Sequence, residues 1–126
     1  MNKELEIKFI NTFIINEKKE RLIYELSTPK KRENALLRFS HNIKNIINEK
    51  YIKYKCNINN LAELLNISSN VYIISLIKIE GETCSYKDAI SHLGEQNMPV
   101  IIIMDNYVII KTESDDGKDN IFILEK

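Results

Sequence analysis

Few residues in this 126-residue chain have the type and spacing to do chemistry. His41 lies one helical turn from both Arg38 and Lys44, with Asn45 beside them. A histidine between two cations can move a proton while the cations hold a phosphate, which is nuclease chemistry. The same set also describes the solvated outer face of a helix. His92 follows Ser91, but adjacent helical residues point apart, which argues against a nucleophile–base pair. Asp115-Asp116-Gly117-Lys118-Asp119 lacks the alternate ligands and the closing Glu of a calcium loop, and Lys118 would repel a cation. There is no zinc spacing. With three Gly in the chain, there is no phosphate-cradling GxxxxGK[ST] or GxGxxG loop. The expectation is no catalytic residue, no metal and no cofactor, hence a protein that is not an enzyme.

Charge carries more information. Residues 1–56 hold 13 Lys and Arg against 7 Asp and Glu, whereas residues 57–126 hold 5 against 11, in a chain of zero net charge. A dipolar surface of that kind steers charged partners and sets association rates. Two candidate surfaces follow. The acidic one is Asp105, Glu113, Asp115, Asp116 and Asp119, all in predicted turns, where recognition residues collect on a rigid scaffold. The basic one is Arg21, Lys31, Arg32, Arg38 and His41, where two helix ends meet near Pro29. Nucleic acid would use such cations for phosphate contacts. Interleaved Glu17, Glu20, Glu25 and Glu33, and a pI near 6.7, count against it.

The elements that must position these residues read in two halves. Leu5, Ile7, Phe9, Ile10, Phe13 and Ile14 share one arc at helical period. Asn16 is the expected cap of a second helix, which buries Leu22, Ile23 and Leu26 and is either separate from the first or continuous with it. Ser27-Thr28-Pro29 is a stop and restart, with Thr28 as cap and Pro29 in the first helical position. The next helix buries Ala35, Leu36, Phe39, Ile43, Ile46 and Ile47. The stretch 48–57 is ambiguous between helix and strand, and 60–67 reads as a short helix.

The period then changes. Residues 71–79 are β-branched and aromatic, and read as a strand. Ser85 and Asp88 begin a helix whose inner face is Tyr86, Ala89, Ile90 and Leu93. Val100–Met104 is an unbroken apolar run of the kind found in a central strand. Asp105-Asn106 is a hairpin candidate, followed by strands at 107–112 and 121–124. A strand–helix–strand unit over 71–104 predicts a crossover between parallel strands. The fold class expected is α+β or α/β. It would be one domain over 1–126, with an N-terminal helical layer (1–67) on a small mixed sheet of about four strands (71–126).

Neither Cys56 nor Cys84 belongs to a CxxC motif, and no N-terminal segment has a signal core. The longest apolar runs fall far short of the roughly 20 residues of a membrane span. A cytoplasmic protein with no membrane contact is expected. Twenty-three Ile, 15 Asn and 15 Lys against 3 Arg point to codon bias in an AT-rich, bacterial gene.

The segment ERLIYELSTPKKRENALLRFSHN (20–42), then VYIIS (71–75), then a hairpin ending in an acidic loop, resembles immunity proteins. These small bacterial proteins belong to contact-dependent inhibition and other polymorphic toxin systems. The resemblance implies tight binding to one cognate toxin domain, often a nuclease, whose active site is blocked. Immunity proteins share no catalytic residues, so no residue role is carried over from them. The expected partner is a basic toxin domain. A nucleic-acid-binding regulator using the basic helices is the alternative, and a small nuclease built on His41 and Arg38 the second alternative.

Overall fold

The computed structural model describes residues 2–41, 43–56, 70–75, 83–95, 99–104, 107–112 and 121–125. Helix α1 (Lys3–Phe13) begins at Asn2, whose side-chain oxygen accepts from the Leu5 N–H at 3.2 Å. That bond satisfies a donor that the first turn otherwise leaves open. Phe9, Ile10 and Phe13 are buried one turn apart, and Glu6 lies on the same stripe.

α1 does not run on into the second helix. Ile14 is extended and bridges to Ile47; Asn48 N–H donates to the Phe13 carbonyl at 2.8 Å and Ile15 N–H to the Ile46 carbonyl at 2.9 Å. The last carbonyl of α1 is thus satisfied by a distant segment. Helix α2 (Asn16–Ser27) takes Ile15 as its cap, so Asn16 is the first helical residue rather than the cap. Helix α3 (Pro29–His41) starts on proline as expected. The Thr28 carbonyl accepts from Lys31 N–H at 2.9 Å and Arg32 N–H at 3.0 Å. The Thr28 hydroxyl, expected to cap α3, donates back to the Tyr24 carbonyl at 2.9 Å. A short α4 (Ile43–Ile46) follows, and the predicted inner residues from Ala35 to Ile47 are all buried.

The ambiguous stretch resolves into a 3-10 turn, Glu49–Tyr51, and strand β1 (Ile52–Cys56). The helix expected over 60–67 lies outside the described residues. The other strands are β2 (Asn70–Ser75), β3 (Thr83–Ser85), β4 (Val100–Ile103), β5 (Tyr107–Lys111) and β6 (Ile121–Glu125), with helix α5 (Tyr86–Glu95) between β3 and β4. As predicted, the Ser85 hydroxyl accepts from the Asp88 N–H, at 3.2 Å, where α5 begins.

The architecture is α+β. The sheet has six strands in the order β1-β6-β5-β4-β2-β3, and every neighbouring pair is antiparallel. Two expectations are corrected: the sheet is larger than four strands, and it is not mixed. The parallel crossover from β2 to β4 does not occur, because the chain returns as β3 before α5 starts. β3 and β4 both run antiparallel to β2 on either side of it, so α5 crosses over β2. β3 escaped notice because three residues are too short to show a period, and Ser85 already had a role as cap.

Both faces of the sheet are covered. Tyr72, Ile74, Ile101, Ile103, Val108, Ile110, Phe122 and Leu124 pack against the helical layer, where the tilted rings of Phe9 and Phe39 lie 6.4 Å apart. On the other face Ile73, Ile102, Ile109 and Ile123 align across four strands and are wholly buried. Such two-sided burial explains the unbroken apolar run of β4.

Candidate functional site

The helical layer contains two clusters in which arginine meets glutamate. All three arginines of the chain take part.

In the first cluster, Arg32 of α3 reaches Glu6 of α1. Nη1 donates to Oε1 at 2.6 Å and Nη2 to Oε2 at 2.7 Å, a two-pronged pairing that suits a planar guanidinium. Nη1 also donates to the Leu26 carbonyl at 2.9 Å, at the end of α2. From the sheet, the Tyr72 hydroxyl donates to Glu6 Oε2 at 2.5 Å and accepts from the Asn2 N–H at 2.9 Å. Burial, and then the bond to the Glu6 carboxylate, push the Tyr72 phenol up to about 12 from its ordinary 10.0. Both Glu6 and Arg32 are buried. This cluster ties three helices and β2 together; it offers nothing to solvent.

The second cluster centres on Glu25 of α2. Arg21, one turn earlier, approaches Glu25 Oε1 with its Nε at 3.1 Å, and Arg38 of α3 donates from Nη2 to the same oxygen. Glu25 is buried, but the Arg21 side chain is 67% exposed and that of Arg38 38%. They open onto a cavity of about 290 Å3. Its polar wall is Lys18, Arg21, Glu25, Arg38 and Asn45, and its floor is Leu22, Ala35 and Ile46. Three cations and one carboxylate among the lining residues leave an excess of two positive charges.

A third feature is on the outside of α2. Tyr24 is 57% exposed, and the Lys31 ammonium sits 5.0 Å from its ring centroid. A fourth is a groove of about 530 Å3 between α1 and the β4–β5 end of the sheet, lined by Phe9, Phe13, Ile103 and Val108 with Lys8 and Glu125 among its polar residues.

The basic face expected from the sequence therefore divides. Lys31 and Arg21 are exposed, and Arg38 is half-buried against Glu25. Arg32 is corrected from surface to interior: it stands one turn before Ala35 and Leu36, in phase with the buried stripe. His41 is the last residue of α3, and its side chain lies outside the described residues. Asp105, Glu113, Asp115, Asp116 and Asp119 also lie outside them. Their described flanks are at opposite ends of β5: Met104 N–H donates to the Tyr107 carbonyl at 2.9 Å at one end, and Thr112 and Ile121 are buried at the other.

Reading the sequence passed over Glu6, and it placed Glu25, rightly expected to pair with Arg21 one turn away, on the outer face of its helix. A signal was present for both. Glu6 and Glu25 interrupt apolar stripes, and a charge in phase with a core needs a partner.

Among the described residues, no group of three or more His, Cys, Asp or Glu could hold a metal ion. No described helix is long and apolar enough to cross a membrane. No protein-family model matches the chain, and no curated protein or solved structure matches it.

Proposed function

We propose that this chain is a binding module of the immunity type, which acts in the cytoplasm by occupying a cognate bacterial toxin domain of the nuclease class. It works by occlusion and catalyses no reaction. The observation that carries the reading is the burial of the described residues that flank the 113–119 sequence, which holds Glu113, Asp115, Asp116 and Asp119. Thr112, after β5, and Ile121, which opens β6, are both buried, and Ile121 pairs with Lys111 across the two strands. An acidic sequence between such anchors is a fitting carrier for recognition residues. A nuclease cleft is rich in Lys and Arg because it holds phosphates. Carboxylates can stand in for those phosphates and block the cleft.

The nucleic-acid alternative is less well supported by the structure than by the sequence. Arg32, in the middle of the basic run at 30–32, is buried against Glu6 and is withdrawn from any phosphate backbone.

The test is co-purification with the product of the gene immediately upstream, followed by binding kinetics. Asp115→Asn/Asp116→Asn should slow association, and salt should slow it for the unaltered protein. Weakening by Lys31→Ala alone would move the interface to the helical face. RNA binding with a steep salt slope and no protein partner would install the nucleic-acid reading instead.

A further inference from the structure

We infer that the cavity bounded by α2, α3 and α4 is a binding site for a phosphate monoester. The argument starts from stoichiometry. Glu6 meets one guanidinium, and each of its oxygens takes one of the two prongs. Glu25 meets two, both on the same oxygen. One guanidinium would neutralise Glu25, so the second is in excess, and Lys18 adds another positive charge to the same wall. A buried carboxylate shared by two arginines also fixes their orientation. Each guanidinium carries five N–H donors, so most remain for a ligand.

The excess of two charges selects the ligand. A phosphate monoester carries a charge near −2 at neutral pH and three strongly accepting oxygens. A lone carboxylate carries half that charge. The Asn45 amide, on the same wall, can donate to a further oxygen. The cavity also has room beyond the phosphate. About 290 Å3 is several times the ~30 Å3 share of one water in the liquid. Its floor of Leu22, Ala35 and Ile46 is apolar, which suits the carbon stem of an ester and not a bare ion. The site goes beyond the binding function proposed above and does not depend on it.

The experiment is an NMR titration of the full chain at constant ionic strength with ethyl phosphate, inorganic phosphate and acetate. Saturable shifts should concentrate at residues 18–25, 38 and 45. Ethyl phosphate should bind more tightly than inorganic phosphate, and both more tightly than acetate. Lys18→Ala and Arg21→Gln, both changes at exposed side chains, should each weaken ethyl phosphate roughly ten-fold, the scale of one charge-assisted hydrogen bond. Lys31→Ala, a cation over Tyr24 and outside the cavity, should leave it unchanged. Absence of saturation, equal binding of acetate, or an equal effect of Lys31→Ala would overturn the site. A phosphoserine peptide run beside ethyl phosphate identifies the source. Tighter binding of the peptide places the phosphate on a protein partner, and equal or weaker binding assigns it to a small free ester.

Discussion

The two arginine–glutamate clusters are built from the same side chains and do opposite things. Glu6–Arg32 is closed: one acid, one base, a phenol to complete the acceptors, and almost no exposure on either partner. Glu25 with Arg21 and Arg38 is open: one acid, two bases and a cavity in front. The difference lies in what surrounds them. The closed cluster is sandwiched between α1, α3 and β2, so any unmatched charge there would be uncompensated in a poorly solvated interior. The open cluster sits between α2 and α3 at the edge of the helical layer, where water screens an excess charge and allows it to persist. A buried acid with one partner acts as a clamp, and one with two partners leaves a cation to offer.

The largest effect should come from opening the closed cluster. Arg32→Ala leaves the Glu6 carboxylate buried without its cation and should cost about 3–5 kcal/mol in denaturant unfolding. The double change Glu6→Gln/Arg32→Met should recover much of that loss, because no lone charge remains. If Arg32→Ala costs under about 1 kcal/mol, the two clusters do not differ as described.

Tyr72→Phe is the next test. It removes a hydrogen bond to a charged group and should cost about 1.5–3 kcal/mol near neutral pH. The folded phenol holds its proton up to about 12 against 10.0 ordinarily, so its contribution is complete below pH 10 and is lost as pH rises from 10 to 12. The stability gap between the parent and Tyr72→Phe should therefore narrow over that window. A gap that stays constant would mean that Tyr72 is not closing the cluster.

The smallest effect belongs to the open cluster. Arg21→Gln should change stability by no more than about 1 kcal/mol, as expected of a solvent-exposed pair within one helix. A loss as large as that of Arg32→Ala would make both clusters clamps and remove the reason to look for a ligand at the open one.

Much of the fold was legible. The inner stripes of the helices, the break at Thr28-Pro29, the start of α5 at Ser85 and the apolar strand at Val100–Ile103 are local patterns, and local patterns report which side of an element is buried. What was misread concerned partners. β2 and β4 looked parallel because β3 was too short to be seen. The candidate site was half legible: Arg21 and Arg38 were singled out as cations, but Glu25, which organises them, read as a helix-surface acid. Scarcity was the overlooked clue. In a chain with 15 Lys and 3 Arg, each Arg stands where a fork-shaped donor meets a carboxylate.

Lys31 and Arg32 mark the boundary between what the chain determines and what its packing decides. The sequence by itself determines that they are adjacent helical cations about 100° apart around the axis, and that only Arg32 is in phase with Ala35 and Leu36. That Lys31 lies over Tyr24 while Arg32 crosses 26 residues of chain to Glu6, and from there to Tyr72 on the sheet, was decided by tertiary structure alone. The phase of a residue on its own element is a local property of the backbone, whereas the element that meets it depends on how layers stack, and nothing in the spacing of one helix encodes that.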